Sequence, residues 1–366
     1  MLRASARNET HPGLVEEQDM KTIKILVSGV AVGVLVLLGS MVSHIEAAGN
    51  EVNALNVSIR EWDVPTRGAN PHDPAVGPDG ALWFTEQFVN KLGRLDPSTG
   101  AIREYPLKTN KSGPHGLVTD HDGNIWYTGN YAGLIGKLNP GTGEITEYKM
   151  PDPKASDPHT PVFDQQGILW FTVQGGNFVG RLDPHSGKID LKLVPTEDAL
   201  PYGMGVNSKG IPFFCEFGTN KMAKINPKTM EITEYKLPVD TRPRRMAIAA
   251  DDKVYFTDFD GGHLGRLDPV TGAVKMWASP GGSMSSPYGM AITPDGMVWY
   301  SEAGVEPNTV IRFDPKTEAF AKAKIPSGGG VVRNMAATAD GRVYIACSGV
   351  NKVGIVESKE KLQSSR

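Results

Sequence analysis

The sequence predicts an all-β fold, a seven-bladed β-propeller that extends from about residue 57 to residue 357. Three observations predict it: one segment recurs seven times, each copy reads as four short strands, and the two ends of the chain supply complementary parts of one blade. Glycine (42 residues) and proline (27 residues) are spread along the chain, as expected for many strands joined by tight turns.

An aromatic strand marks each repeat. The segment Leu-Trp-Phe-Thr-Glu at 82–86 returns in six further versions, and the aromatic residues that anchor the seven copies are Trp83, Trp126, Trp170, Phe213, Tyr255, Trp299 and Tyr344. Successive anchors are 43, 44, 43, 42, 44 and 45 residues apart. This period is typical of a four-stranded propeller blade.

Each copy predicts four strands. A short strand of small residues, such as 116–119, leads through an Asp-Gly hairpin turn, such as 122–123, to the aromatic strand. A third strand follows, as at 91–95, and a Pro-x-Thr-Gly turn, as at 97–100, leads to a fourth strand at 102–105. No segment of the repeat region shows a sustained 3.6-residue apolar period, so a helical solenoid is excluded.

The two ends of the repeat region predict a closed ring. The seventh copy lacks its fourth strand, and residues 58–65, before the first copy, carry the fourth-strand pattern. An N-terminal strand that completes the last blade removes two exposed strand edges. Seven blades follow, with residues 358–366 as a charged tail.

The first 48 residues predict export. Residues 1–19 form a polar extension, with an alternative start at Met20. Residues 20–48 combine two lysines, an apolar run at 25–42 and the small residues 47–48. This pattern is typical of a signal peptide, although 18 apolar residues also suffice for an uncleaved membrane anchor. Both alternatives predict a periplasmic or extracellular propeller.

The composition of the chain limits the kinds of partner and cross-link that we expect. The formal net charge is −3 and the basic residues are dispersed, so the sequence offers no basic face for nucleic acid. Cys215 and Cys347 fall at adjacent registers of strands three blades apart, which predicts two buried free thiols rather than a disulfide. We expect a monomer whose membrane contact is limited to the N-terminal anchor, if it is retained.

Two rings of residues are predicted around the propeller axis, because each lies at a fixed distance from the aromatic anchors. The first ring, eleven residues before each anchor, is His72, His115, His159, Tyr202, Arg244, Tyr288 and Arg333. The second ring, three residues after each anchor, is Glu86, Gly129, Val173, Glu216, Asp258, Glu302 and Cys347. We expect both rings to face one end of the central channel, where propellers usually bind ligands.

The first ring contains no ordinary apolar residue. Three histidines on consecutive blades favour a polar site in which neutral imidazoles serve as metal ligands or general bases. The alternative is that Pro-His turns merely cap strand ends. The tyrosines and arginines that complete the ring are predicted to bind the ligand, and the arginines suit an anionic or carbonyl-rich molecule.

Carboxylates supply the second kind of chemistry. Glu86 and Asp157, which lies two residues before His159, are candidate metal ligands together with His72, because Mg²⁺ prefers oxygen ligands. The remaining acids of the second ring are predicted to contact the ligand: Glu216, Asp258 and Glu302. The alternative is that these acids form salt bridges with Arg244 and Arg333.

The repeat resembles that of the streptogramin B (virginiamycin B) lyases. The resemblance rests on Leu-Trp-Phe-Thr-Glu at 82–86, Asn-Lys-Leu-Gly-Arg-Leu at 90–95, Ile-x-Glu-Tyr-x-Leu-Pro at 232–238 and Pro-His-Gly at 114–116, and it covers residues 57–357. It implies a Mg²⁺-assisted elimination that opens a cyclic depsipeptide at its ester: a histidine removes the proton α to a carbonyl and a carboxylate leaves.

Matched to the family pattern, His115 and His159 are the catalytic histidines, and Asp157 stands where the family has glutamate. Val173 occupies the position of a second family glutamate, which Glu86 would have to replace from across the channel. Two alternatives remain open at this point. The first is a non-catalytic propeller that binds a small molecule or a protein, and the second is a metal-dependent lactone or ester hydrolase similar to the gluconolactonases.

Overall fold

The structure, a computed structural model, describes residues 45–46, 52–238 and 240–359. Of the predicted targeting segment 20–48 only Ile45–Glu46 falls within this range, and the extension 1–19 and most of the tail 358–366 lie outside it. The described residues include no helix long and apolar enough to cross a membrane. Export of the protein therefore stays a prediction.

The described residues form seven antiparallel sheets arranged as the blades of a propeller, as the sequence predicts. The innermost strands are Pro71–Val76, Pro114–Thr119, Pro158–Phe163, Pro201–Val206, Pro243–Ile248, Pro287–Ile292 and Val332–Ala337. The second strands, which carry the aromatic anchors, are Leu82–Glu86, Ile125–Gly129, Leu169–Val173, Pro212–Glu216, Val254–Asp258, Val298–Glu302 and Val343–Cys347.

The outer half of each blade follows the same order. The third strands are Lys91–Leu95, Leu134–Leu138, Phe178–Leu182, Lys221–Ile225, His263–Leu267, Thr309–Asp314 and Lys352–Ser358. The outermost strands are Ile102–Pro106, Ile145–Lys149, Ile189–Leu193, Ile232–Lys236, Val274–Ala278, Ala319–Lys324 and, for the last blade, Val57–Asp63. One short 3₁₀ turn, Ser348–Val350, interrupts the last blade.

The ring closes as the sequence predicts. Val57–Asp63 pairs antiparallel with Lys352–Ser358, so the seventh blade combines the two ends of the chain. The segment before it adds two short parallel pairings, Ile45–Glu46 on the outermost strand of blade 5 and Asn53–Ala54 on that of blade 6. The outer edges of two blades, which would otherwise expose unpaired backbone groups, are thereby partly covered.

The core lies between neighbouring blades, where the aromatic strands pack. Trp83, Trp126 and Trp170 are each about 1% exposed, as their predicted core role requires. The third strand of several blades carries glycine opposite the aromatic residue that follows the anchor: a Cβ on Gly136 would lie 2.0 Å from the Tyr127 ring, so only glycine permits this approach. Cys215 and Cys347 are buried free thiols, which confirms their prediction.

Candidate functional site

An irregularity in every innermost strand brings two successive residues to the channel. Each of the seven strands shifts register against its neighbour after the first residue, for example between Pro71 and Pro74 in blade 1. Such bulges leave residues unpaired in the ladder and re-aim their side chains. The residue after each member of the predicted first ring therefore belongs to the site, and these residues are Asp73, Gly116, Thr160, Gly203, Arg245, Gly289 and Asn334.

Hydroxyl side chains fix each bulge and hold the next blade. Thr85, on the aromatic strand of blade 1, accepts the freed N–H of Asp73 (3.0 Å) and donates to the carbonyl of His115 on blade 2 (2.9 Å). Thr128 repeats the arrangement for Gly116 and the carbonyl of His159. The backbone positions of the histidines are thus set by the preceding blades, which satisfies the polar groups that a bulge exposes.

The three histidines of the first ring form a continuous arc. The ring centroids of His72 and His115 lie 3.9 Å apart, and those of His115 and His159 are also 3.9 Å apart. Tyr202 continues the arc at 4.0 Å from His159. The imidazoles are only 1–5% exposed, so the structure brings the two predicted catalytic histidines and His72 together at one buried position in the channel.

Burial keeps these imidazoles neutral. Desolvation lowers the pKa of His72 to about 4, although the hydrogen bond and charge of Asp73 oppose the shift. Desolvation likewise holds the pKa of His115 and of His159 well below the ordinary value, and the neighbouring imidazoles and guanidinium groups add to both shifts. At neutral pH all three can act as bases or ligands without first losing a proton.

Asp73 determines which nitrogen of His72 is free. Burial by itself would raise the pKa of Asp73, but the charge of Arg245 and the hydrogen bond with His72 lower it by more than burial raises it. The resulting pKa is well below the ordinary value of an aspartate. An ionised carboxylate only accepts, so Nδ1 of His72 donates to Oδ1 of Asp73 at 2.9 Å. Nε2 of His72 then carries the lone pair and is the proton acceptor.

His159 has the opposite arrangement. Its Nδ1 lies 2.9 Å from the hydroxyl oxygen of Thr160, which accepts a hydrogen bond from Nη1 of Arg245 at 3.1 Å. No other acceptor for the Thr160 hydroxyl proton is within hydrogen-bond distance among the described residues, so Thr160 donates to Nδ1. Nε2 of His159 then carries the proton and is a donor. His115 lies between them with its Nδ1 buried and unpartnered.

A buried ion pair spans the channel beneath the imidazoles. Arg245 of blade 5 reaches Asp73 of blade 1 at 2.7 Å and Thr160 of blade 3, and Asn334 of blade 7 donates to the other Asp73 oxygen at 3.0 Å. Four blades thus meet through these side chains. These four residues, each one position after a member of the first ring, form a second layer of contacts across the channel.

The other side of the first ring is aromatic and cationic. The Arg244 guanidinium lies 3.9 Å from the ring centroid of Tyr288, 4.1 Å from that of Phe259 and 4.7 Å from that of Phe217. The hydroxyl groups of Tyr202 and Tyr288 are hydrogen-bonded at 2.5 Å. The structure therefore places Tyr202, Arg244 and Tyr288 in one cluster beside the imidazoles, in the channel position predicted for ligand contacts.

The carboxylates of the second ring share this end of the propeller but make their contacts within the blades. Glu86 pairs in register with Pro71, one residue before His72, and both Glu86 oxygens are buried and unpartnered. Asp258 accepts from the backbone of Arg242 and contacts His263, and Glu302 accepts from Ser279, Gly281 and Thr309. The Glu216 carboxylate accepts from Thr219. Among the described residues none of these acids forms an ion pair with Arg244 or Arg333.

The structure does not bring the predicted metal ligands together. Both oxygens of Asp157 accept backbone N–H groups of Gly175 and Gly176, so this carboxylate caps a loop. Among the described residues the sole group of three acids, histidines or cysteines with ligand atoms within 4.8 Å of one another is His72, Asp73 and His115. The group that includes His72 contains Asp73 in place of Glu86 and Asp157.

This group fits Mg²⁺ poorly. It offers two imidazole nitrogens and one carboxylate, whereas Mg²⁺ prefers oxygen ligands and imidazole suits ions such as Zn²⁺. The Asp73 carboxylate is also already neutralised by Arg245. Magnesium binding stays a prediction, and the chemistry of the imidazoles does not require it.

Sequence reasoning missed Asp73, Thr160, Arg245 and Asn334. A signal was present, because every residue at this repeat position is either glycine or polar. The signal was hidden because strict strand alternation assigns this position to the face opposite the first ring. Only the bulge, which depends on hydrogen bonds between blades, brings both positions into the channel.

Comparison with known proteins relates this chain to one family. The sequence profile of the virginiamycin B lyase family matches residues 40–212 and 187–365. A virginiamycin B lyase of Nocardia farcinica (strain IFM 10152) is 31% identical over 156 residues, which are 43% of this chain and 51% of the relative. The aligned region therefore spans about half the length of that relative.

Solved structures agree with the fold over a longer range. A streptogramin B lyase structure superposes with a TM-score of 0.76 at 25% identity, over 82% of this chain and 98% of the other. A virginiamycin B lyase from Staphylococcus aureus gives a TM-score of 0.74 at 24% identity, over 82% and 99%. The second likeness supports the fold alone.

Proposed function

The chain belongs to the virginiamycin B lyase family, and on that premise we propose that its channel site catalyses an elimination that opens an ester of a small cyclic molecule. The observation that carries the proposal is the arc of three buried imidazoles, whose two end members have different Nδ1 partners, the Asp73 carboxylate for His72 and the Thr160 hydroxyl for His159. A streptogramin B-type depsipeptide is the first substrate to test, because relatives with that activity share the fold.

The reaction needs a base and a proton donor at one place. His72 supplies the base: Nε2 takes a proton on the alkoxy side of the ester, from a carbon that is β to the ester oxygen and α to a second carbonyl, and Asp73 stabilises the imidazolium that forms. This arrangement follows the general pattern in which a carboxylate orients a catalytic imidazole. His159 supplies the donor, since Nε2–H can hydrogen-bond the carbonyl oxygen on which negative charge develops.

His115 has contact with both partners. Its ring lies at 3.9 Å from each neighbour and its Nδ1 has no partner among the described residues, so its protonated nitrogen is not fixed by the fold. It can therefore adopt either tautomer when a substrate binds. The electrons of the broken C–H bond form the new C=C bond, and the ester oxygen leaves as part of a carboxylate.

The experiment uses the full-length chain with a streptogramin B-type depsipeptide and a panel of cyclic esters and lactones in ¹⁸O-labelled water. Elimination opens the ring without changing the mass and creates an ultraviolet-absorbing double bond, whereas hydrolysis adds one labelled water. We expect an unlabelled product. A labelled product would identify a hydrolase and overturn the proposal.

Variants test the residues. His72→Asn and His159→Asn should each lower kcat by roughly 10²–10⁴-fold, the usual contribution of a general acid or base. His121→Asn is the matched control, since that imidazole is fully exposed on the surface. Equal activity in all three variants would place the reaction elsewhere.

A further inference from the structure

We propose that the cyclic substrate carries an oxyanion, a carboxylate or a phosphate, which binds to Arg244 and Arg333 beside the imidazole arc. That the bound molecule is a substrate rests on the proposed function, but the binding of the anion can be measured without turnover. The relevant feature is the net charge of the first ring and of the second layer, which is formed by the residues that follow each member of the ring.

That net charge is positive. The two layers contain three arginines, which are Arg244, Arg245 and Arg333. They contain one acidic residue, Asp73. Asp73 is engaged by Arg245, Asn334 and His72, so its charge is already compensated. Since the imidazoles are neutral, the guanidinium groups of Arg244 and Arg333 remain without a counter-charge.

No other acid of the described residues compensates them. The sequence offered salt bridges with Glu216, Asp258 and Glu302 as the alternative, but those carboxylates contact hydroxyl groups, backbone N–H groups and His263 instead. The Nε atoms of both arginines are buried and have no hydrogen-bond partner within the described part of the chain. A buried donor without a partner is costly, and a bound oxyanion would satisfy it.

Arg244 is held ready for such a ligand. Four aromatic rings surround its guanidinium, belonging to Tyr202, Phe217, Phe259 and Tyr288. Its one hydrogen bond to a described residue is a long one of 3.4 Å to the Tyr202 hydroxyl. Stacking restrains the plane of the group but uses none of its N–H donors. Restrained guanidinium donors suit the planar oxygens of a carboxylate or the oxygens of a phosphate.

Arg333 completes the site from the other flank. Its positive charge helps to lower the pKa of both His72 and His115, and the charge of Arg244 does the same for His159. The contacts agree with this placement: the Arg244 guanidinium stacks on Tyr202, whose ring lies 4.0 Å from that of His159, and Asn334, the residue after Arg333, donates to Asp73, the residue after His72. An oxyanion bound to them would lie beside the proposed base and donor, and would fix the orientation of the ester.

The test compares ligands that differ in charge but hardly in shape. Benzoate and benzamide are titrated into the full-length chain by calorimetry, with phenyl phosphate and phenol as the second pair. We expect benzoate or phenyl phosphate to bind and the neutral partner of each pair not to bind. The tighter anion identifies the group as carboxylate or phosphate.

Arg333→Gln should weaken anion binding by roughly tenfold or more, on the order of one charge-assisted hydrogen bond. Arg312→Gln, at an exposed outer position, is the matched control and should bind as the wild type does. A measurement on the wild type alone guards against misfolding of the variant: added NaCl should weaken the binding of the anions. Equal binding of benzoate and benzamide, or equal affinity of Arg333→Gln and the wild type, would overturn the inference and leave the elimination reaction untouched.

Discussion

Replacing Glu86 by glutamine should stabilise the protein in a way that depends on pH. Glu86 is fully buried and neither oxygen has a hydrogen-bond partner among the described residues. Its cross-strand neighbour Lys91 gives its ammonium group to Glu104, at 2.6 Å, and to Thr66. Desolvation therefore raises the pKa of Glu86 to about 8, with a further contribution from the charge of Glu104.

The magnitude follows from this shift. The unfolded chain loses the Glu86 proton near pH 4.5, whereas the native protein keeps it to about pH 8, so the native protein binds more protons between these values and loses stability as the pH rises. Each pKa unit corresponds to about 1.4 kcal/mol, which gives a loss of about 3 kcal/mol between pH 5 and pH 8. Glutamine is neutral in both states and does not incur this loss.

Urea unfolding at pH 5 and pH 8 measures the effect. The stability gain of Glu86→Gln over the wild type should be about 3 kcal/mol larger at pH 8 than at pH 5. Glu144→Gln, at an exposed turn position, is the control and should show no such difference. A gain that is the same at both pH values would refute the reasoning that Glu86 is protonated in the native protein.

Three further perturbations test the channel and the core. Burial lowers the pKa of His72 to about 4, so as the pH falls below 6.5 the unfolded chain binds a proton at this residue that the native protein does not bind, and the native protein loses stability. His72→Asn should therefore reduce the loss of unfolding free energy between pH 7 and pH 4.5 by about 2 kcal/mol, as measured by urea unfolding. Arg245→Met should lower the free energy of unfolding by about 3–5 kcal/mol, because it leaves the Asp73 carboxylate buried without its ion-pair partner. Adding Asp73→Asn to this variant should restore part of the lost stability, and additive losses in the double variant would contradict the ion pair across the channel. Gly136→Ala should cost about 1–3 kcal/mol, because its Cβ would meet the Tyr127 ring, and an unchanged melting temperature would contradict the packing.

The repeat made the fold predictable. The anchors from Trp83 to Tyr344 recur at a nearly constant period, and a period of four short strands leaves few architectures that bury one face of every sheet. The missing fourth strand of the last copy and the matching segment before the first copy determined the closure, which the pairing of Val57–Asp63 with Lys352–Ser358 confirms. Local pattern and global topology agree here because each blade packs mainly against its neighbours.

The site was predictable in part. Equal spacing from the anchors identified the ring that contains His72, His115 and His159, because equivalent residues of a propeller lie on a circle. Sequence spacing did not reveal that Asp73 and Arg245, 172 residues apart, meet across the channel. It also did not reveal that the Asp157 carboxylate, a predicted metal ligand, accepts hydrogen bonds from the backbone of Gly175 and Gly176.

The sequence by itself determined the blade count, the closure, the aromatic core and the identity of the first ring, since all of these repeat with the period of the chain. The tertiary structure decided the properties that do not repeat. These are which imidazole nitrogen is available to a substrate, which arginine is paired with a carboxylate, and which carboxylate is buried without a hydrogen-bond partner among the described residues. The physical reason is that these properties depend on hydrogen bonds and burial between blades. Single residues such as Thr160 and Asp73 differ from their counterparts in the other repeats, and their partners are known only once the ring has closed.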